Sequence, residues 1–223
     1  MLMSGKLQIV VLHTLKYRDT SLILQGYSNI YGKHSFIVRT GKGKSSKAMI
    51  SQLHPLDIID AELVPGGKGE MPVIKEFTPA YRLEAIRCNM DKCSIAMFIS
   101  ELIYRTIKEV ESDPDLYRFI RDSVLQLENL GSGFANFHPW FVVEMCKKTG
   151  YDPVLSEAEF PGKSSEILAA LLNTDTECLS SLRINGKERY IFIKDMLNYL
   201  SNHIGYTLEI KSLEVLHQVL GQE

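Results

Sequence analysis

Short apolar runs separated by turn residues occupy the first 80 residues of the chain. The runs are rich in β-branched and aromatic residues, as strands are, and they lie at residues 7–12, 21–24, 34–39, 56–64 and 72–77. Gly32, Gly41 and the Pro65-Gly66-Gly67 stretch are among the turn residues that divide them. Five strands in this length predict a small Greek-key barrel of the OB type, and an SH3-like barrel fits the spacing nearly as well.

The apolar spacing becomes helical after the last predicted strand. Apolar residues recur three and four positions apart over residues 95–110, 117–127, 137–145, 167–172, 190–200 and 213–220. Ser112, Asp113 and Pro114 provide a cap followed by proline, which predicts the start of the second of these helices. The change of period therefore predicts an OB-type barrel domain over residues 1–80 and an all-helical domain over residues 81–223.

Charge divides the chain in a similar way. Residues 1–56 contain eight Lys or Arg and one acidic residue, Asp19, a net charge of +7, whereas the whole chain of 223 residues carries −2. Residues 57–223 therefore carry −9. This asymmetry indicates that the first quarter meets a polyanion. Because the sequence contains neither an apolar run of about 18 residues nor a secretory leader, we expect a cytoplasmic protein. With DNA as the polyanion, the protein would be associated with the nucleoid.

A basic segment with two glycines follows the third predicted strand, at residues 39–47. It contains Gly43-Lys44-Ser45, which matches the end of a phosphate-binding loop. The glycine that such a loop needs five residues earlier is replaced by Val38, and the segment joins two strands. We interpret it as a hairpin tip that contacts nucleic-acid phosphates through backbone amides and lysine charges, with a solvated loop as the alternative.

Aromatic and basic residues alternate around this segment. Single-strand binders combine a cationic groove with rings on which bases stack, at about 1–3 kcal/mol per base. Both faces of the third strand carry an apolar residue, so alternation does not settle which ring is exposed; we assign Phe36 to the core and leave Tyr17 and Tyr31 open. The candidate nucleic-acid-binding residues are Lys16, Tyr17, Arg18, Tyr31, Lys33, Arg39, Lys42, Lys44 and Lys47.

The remainder of the sequence presents no converging set of catalytic groups. Gly131-Ser132-Gly133 lacks the spacing of a nucleophile elbow. The four cysteines form no Cys-x-x-Cys pair and are interpreted as reduced structural thiols; they are Cys88, Cys93, Cys146 and Cys178. Arg105, Arg118 and Arg121 either receive an acidic peptide of a partner or are ordinary surface charges. The sequence predicts a binding protein and not an enzyme, with a hydrolase bearing a helical cap as the less favoured alternative.

Several stretches, in order along about 200 residues, resemble the RecO family of bacterial DNA repair and recombination mediators. They include Tyr17-Arg18-Asp19, the basic stretch at residues 36–45, Leu53-His54-Pro55-Leu56, residues 99–104 and Gly150-Tyr151-Asp152-Pro153. The resemblance implies an N-terminal OB-fold and a C-terminal helical domain, which agrees with the break near residue 80. It also implies binding of single- and double-stranded DNA, annealing of complementary strands, and loading of the recombinase on DNA coated by single-strand DNA-binding protein.

The resemblance also implies binding partners, and the sequence departs from the family pattern at one place. The implied partners are RecR and the acidic C-terminal tail of single-strand DNA-binding protein. Many relatives carry a four-cysteine zinc module after the Gly-Tyr-x-Pro stretch, but residues 154–160 contain no cysteine, so we expect no zinc and no other cofactor. The leading alternative is an RNA-binding OB-fold protein, which would prefer RNA to DNA of the same sequence.

Overall fold

A closed five-stranded barrel forms the first part of the computed structural model, which describes residues 5–39, 53–65, 71–108, 112–156 and 158–221. The strands are β1 (Gly5–Arg18), β2 (Ser21–Ser28), β3 (Gly32–Arg39), β4 (Ile58–Val64) and β5 (Val73–Pro79). Their order around the barrel is β1-β2-β3-β5-β4, and all neighbours are antiparallel except β3 and β5. This arrangement confirms the predicted OB-type barrel.

Strand β1 is the longest of the five and pairs on both sides. Residues 5–10 pair with β4, and residues 9–18 pair with β2. The pairing with β2 has two register shifts, one between Val11 and His13 and one between Lys16 and Arg18. Such bulges bend a strand and increase its twist, which a strand needs in order to close a small barrel.

Alternate side chains of the strands fill the barrel. The cluster consists of Leu7, Ile9, Val11, Leu22, Leu24, Phe36, Val38, Leu53, Ile59, Ala61, Leu63 and Ile74. Phe36 is fully buried, which confirms its assignment to the core, while its neighbour Ile37 is half-buried on the outer face. A Cβ at Gly26 would come within 2.3 Å of Ile9 Cγ2, so glycine at this position of β2 allows β1 to approach closely.

Seven α-helices follow in the described part of the chain. They are α1 (Glu84–Cys88), α2 (Met90–Thr106), α3 (Pro114–Asn129), α4 (Phe137–Lys148), α5 (Lys163–Leu172), α6 (Gly186–Ile204) and α7 (Ser212–Leu220). Helix α3 begins as predicted, because Asp113 Oδ1 accepts the backbone N–H groups of Asp115 and Leu116 at 2.9 and 3.0 Å. The helices confirm the predicted helical second part. Among those described, none combines the length and apolar character that a membrane crossing requires.

Contacts between residues divide the chain into two units. We call residues 1–83 with 107–122 the barrel unit, and residues 84–106 with 123–223 the helical unit. The domain boundary near residue 80 stays a prediction. Residues 107–122, here called the returning segment, group with the barrel although they follow the first helices in the chain. No periodicity in the sequence signals this return, since it depends on contacts between distant residues.

Hydrogen bonds between described residues attach the returning segment to the barrel, and three of them are made by the side chains of Lys33, Ser112 and Tyr117. Lys33 Nζ donates to the Ile107 carbonyl at 2.6 Å, and Ser112 Oγ donates to the carbonyl of Asn29 at 3.1 Å. The hydroxyl of Tyr117 donates to Gln8 Oε1 at 2.6 Å. Two of these bonds use side chains of the barrel strands, so the segment is part of the surface that the barrel presents.

The helical unit buries a histidine at its centre. His138 in α4 is fully buried, and its ring meets that of Phe98 edge-on, with 5.8 Å between centroids. Burial, together with the positive charge of Arg189, lowers the pKa of His138 from 6.5 to about 3. The folded protein therefore keeps this imidazole neutral in a pH range where the unfolded chain protonates it.

We expect the free energy of unfolding to fall as the pH drops below about 6.5, by about 2 kcal/mol from this residue at pH 5. The unfolded chain takes up a proton at His138 below that pH, whereas the folded chain does so only near pH 3. Urea unfolding at pH 7 and pH 5 measures the loss. The variant His138→Gln does not titrate at this position, so it should lose about 2 kcal/mol less between the two pH values; an equal loss in both proteins would contradict the assignment.

Candidate nucleic-acid interface

The outer face of strands β1, β2 and β3 has a covered half and an open half. On the covered half, Tyr27 lies opposite Lys33 and is buried, and a hydrogen bond joins it to the backbone of Asp113 in the returning segment. Burial raises the pKa of Tyr27 to about 12. This half is therefore closed to a macromolecular ligand.

At the other end of these strands, no described element covers two further cross-strand rows. One row consists of Leu15, Ile23 and Ile37, and the other of Arg18, Ser21 and Arg39. Leu15 is 43% exposed, and both arginines are exposed. We call these six residues and Tyr17 the open face; Lys16 is exposed beside it at the barrel rim. An apolar strip with cations along it suits bases and phosphates together.

The two arginines of the open face, and Lys16 beside it, are not neutralised by other described residues. Ion pairs between described residues join other groups, and none of those residues pairs with Lys16, Arg18 or Arg39. The nearest acidic residue along the chain is Asp19, exposed in the turn between β1 and β2. Unpaired surface cations displace the counterions of a nucleic acid most effectively, because no internal carboxylate competes for them.

Tyr17 and Arg18 form a cation–π pair at the end of β1. The guanidinium carbon of Arg18 lies 4.9 Å from the centroid of the Tyr17 ring, and Arg18 Nη2 donates to the Tyr17 hydroxyl at 3.3 Å. Consecutive residues of a regular strand point to opposite faces. Here Tyr17 is the extra residue of the second register shift, which re-aims its side chain towards that of Arg18.

The other side of the barrel carries charges of both signs. Strands β4 and β5 present Asp60, Glu62 and Glu76 around a groove of about 590 Å³, which Lys6 of β1 and Arg121 of α3 also line. Lys75 Nζ lies 3.2 Å from Glu62 Oε1, and this hydrogen bond lowers the pKa of Glu62, so the carboxylate stays ionised. Lys6 and Arg121 partly offset the three carboxylates, so this groove lacks the excess of positive charge that Arg18 and Arg39 give the open face.

The structure brings four of the candidate residues together, namely Lys16, Tyr17, Arg18 and Arg39. Lys33 lies on the covered half, held by the Ile107 carbonyl. Tyr31 is half-buried and packs against the barrel core. The remaining three, Lys42, Lys44 and Lys47, lie outside the described residues.

Leu15, Ile23 and Ile37 were not among the residues singled out from the sequence. Ile23 and Ile37 alternate with the core residues Leu22, Leu24, Phe36 and Val38, so β2 and β3 are apolar on both faces. This pattern could have indicated the apolar row from the sequence, since the outer face of a strand that is apolar on both faces is either covered by another element or exposed as an apolar surface.

The three arginines considered for partner binding fall in different units. Arg118 and Arg121 belong to the barrel unit and form ion pairs with Asp115 and Asp122. Arg105 belongs to the helical unit, where its Nε lies 3.9 Å from Glu101 Oε1. These pairs are on the surface and contribute little to stability, so they leave the arginines able to exchange partners.

Reactive chemistry is not evident in the described residues. Burial raises the pKa of Cys146 to about 12, so its thiol stays protonated and unreactive at neutral pH. Within those residues, no three or more His, Cys, Asp or Glu side chains are grouped so as to hold a metal ion.

Comparison with known proteins gives matches along most of the chain. The family model described as "Recombination protein O N terminal" matches residues 3–81, and "Recombination protein O C terminal" matches residues 87–165. The "DNA repair protein RecO" of Flavobacterium psychrophilum is 29% identical over 239 residues, covering 98% of this chain and 100% of the relative. That of Flavobacterium johnsoniae is 26% identical over 238 residues, with the same coverage. The protein of this name from Phocaeicola vulgatus is 31% identical over 144 residues, 65% of this chain and 60% of the relative.

Proposed function

The chain belongs to the RecO family of DNA repair and recombination proteins, and from this premise we propose that it binds single- and double-stranded DNA through its open face. The observation that carries the proposal is a set of exposed cations, none of which forms an ion pair with another described residue, beside the apolar row of β1, β2 and β3: Lys16, Arg18 and Arg39. The groove on the other side of the barrel, lined by three carboxylates and two cations, offers no comparable excess of positive charge.

Binding of this kind is largely independent of sequence. Each phosphate that a cation neutralises contributes about −0.7 to the slope of log affinity against log salt on single strands and about −0.9 on duplexes. Lys16 and the two arginines of the open face together correspond to a slope of about −2 on single strands. Lys42, Lys44 and Lys47 belong to the same proposal as further phosphate contacts, and they would make the slope steeper.

The proposed role is that of a recombination mediator without catalytic activity. Cations that neutralise phosphates on two complementary strands lower the repulsion that slows their pairing, so binding leads to annealing. We further propose that the protein acts with RecR, contacts the acidic tail of single-strand DNA-binding protein, and helps load the recombinase on coated DNA. Arg105, Arg118 and Arg121 stay candidate contacts for that tail.

We expect the protein to accelerate annealing of two complementary oligonucleotides when one is coated with single-strand DNA-binding protein. The acceleration should fade as salt rises, because it depends on phosphate contacts. A fluorescence assay with a dye and a quencher on the two strands measures the rate.

An RNA strand of the same sequence serves as the comparison in this assay. A DNA mediator should bind and anneal DNA at least as well as RNA, whereas a reader of the 2′-hydroxyl should prefer RNA. Failure to accelerate DNA annealing at low salt, with no change in anisotropy on bare single strands, would contradict the proposed function.

A further inference from the structure

The pair of Tyr17 and Arg18 is built to accept a flat ligand. The guanidinium is planar and weakly hydrated, and its carbon lies over an aromatic ring, 4.9 Å from the Tyr17 centroid. The hydrogen bond from Arg18 Nη2 to the Tyr17 hydroxyl restricts its rotation further. Tyr17 is 41% exposed and Arg18 is exposed, so the pair is accessible to solvent.

The surroundings of the pair suit one nucleotide. Arg39 lies two strands away in the same cross-strand row, at about 10 Å from Arg18 between backbones as set by strand spacing. Leu15, Ile23 and Ile37 form the adjacent apolar row. A base that stacks on the Tyr17–Arg18 pair would therefore lie beside the apolar row, and Arg39 would be within reach of the phosphate of a neighbouring nucleotide.

A base reaches such a pair only when it is unpaired. Bases inside a duplex have both faces covered by their neighbours, whereas bases of a single strand can be splayed out and stacked on aromatic rings or guanidinium planes. Phosphate contacts, by contrast, are available in single strands and duplexes alike. The Tyr17–Arg18 pair thus adds an interaction that the cations by themselves do not provide.

We propose that Tyr17 and Arg18 form a composite stacking platform that holds an unpaired base and gives the open face a preference for single strands over duplex DNA. The proposal rests on the proposed function, namely that this face binds DNA, and it names what the face selects. During annealing, a strand that becomes paired loses its contact with the platform and keeps only its phosphate contacts. Product duplex is then released more readily than the single strands are.

The full-length protein tests the platform with two probes, a fluorescein-labelled 20-nucleotide oligo-dT and a labelled 20-base-pair duplex, measured by anisotropy at one salt concentration. Arg18→Lys keeps the charge and loses the plane, so it should weaken single-strand binding about fivefold to tenfold while duplex affinity changes less than twofold. Tyr17→Leu keeps apolar bulk and loses the ring, and should shift the ratio in the same direction. Arg39→Lys is the matched control, because it makes the same substitution at a cation without an aromatic partner and should change both affinities by one common factor.

A 2-aminopurine base placed within the oligo-dT reports stacking directly, since its fluorescence falls when it stacks. We expect quenching with the unmodified protein and with Arg39→Lys, and weaker quenching with Arg18→Lys and Tyr17→Leu. If Arg18→Lys lowers single-strand and duplex affinity equally, or lowers neither, the platform is refuted and DNA binding stands. If the unmodified protein binds neither probe at low salt, the proposed function fails together with the platform.

Discussion

Reversal of Lys16, Arg18 and Arg39 together to Glu is expected to lower the affinity for single-stranded DNA at least about hundredfold near 0.1 M salt. Three phosphate contacts contribute a slope of about −2, which corresponds to roughly two decades of affinity between 1 M and 0.1 M salt. The three introduced carboxylates add repulsion to this loss. An anisotropy titration with an oligo-dT probe across a salt series gives both the affinity and the slope, and the slope should flatten by about 2.

A second triple variant controls for net charge. Arg183, Lys187 and Lys194 are exposed on the helical unit, and their reversal to Glu changes the charge of the chain by the same amount. If the open face binds DNA, this control should lower the affinity far less and keep the slope of the unmodified protein. Comparable losses in the two variants would mean that the net charge of the chain, and not the open face, governs binding.

Replacement of Phe36 by Ala is expected to destabilise the barrel by about 3–5 kcal/mol. Phe36 is fully buried in the barrel cluster, and β3, which carries it, pairs with both β2 and β5. Truncation removes the transfer free energy of the ring and leaves a cavity that the closed barrel cannot collapse to fill. Hydrogen exchange followed by mass spectrometry measures the opening free energy of the amides in β2 and β3, where the loss should appear.

Two further variants in β3 provide comparisons for the loss of stability in Phe36→Ala. Phe36→Leu leaves a smaller cavity and should lose clearly less stability. Ile37→Ala removes a half-buried side chain from the outer face, so its cost should be at most about 1 kcal/mol. If Ile37→Ala destabilised the barrel as much as Phe36→Ala, the assignment of inner and outer faces in β3 would be wrong.

Local patterns in the sequence were sufficient to predict the element types and the barrel. Alternation and turn residues predict strands, spacing of three and four predicts helices, and Asp113 with Pro114 predicts the start of α3. Alternation was insufficient at residues 36 and 37, since both are apolar and only closure of the barrel decides that Phe36 points inward. The returning segment was not predictable either, because Lys33 and the Ile107 carbonyl are 74 residues apart.

The sequence was sufficient to predict that the first quarter binds a polyanion, but not how the binding residues are arranged on the surface. The excess of Lys and Arg in the first quarter indicated a polyanion ligand, and Lys16, Tyr17, Arg18 and Arg39 do lie together. The register shift that turns Tyr17 towards Arg18 depends on how β1 pairs with β2, and no residue type marks it. The hydrogen bond from Lys33 to the Ile107 carbonyl was not predictable either, since the pattern of charges along a sequence does not reveal which cations have partners inside the protein.

The discontinuity of the barrel unit has a consequence for biosynthesis. All five strands exist once residue 79 has been translated, but Tyr117, which donates to Gln8, follows roughly 40 residues later, a delay of about 2–8 s at typical ribosome speeds. Through that interval the nascent chain holds Tyr27 and Lys33 without their final cover. Gln8, Tyr27 and Lys33 therefore reach their final hydrogen-bond partners only when residues 107–122 leave the tunnel.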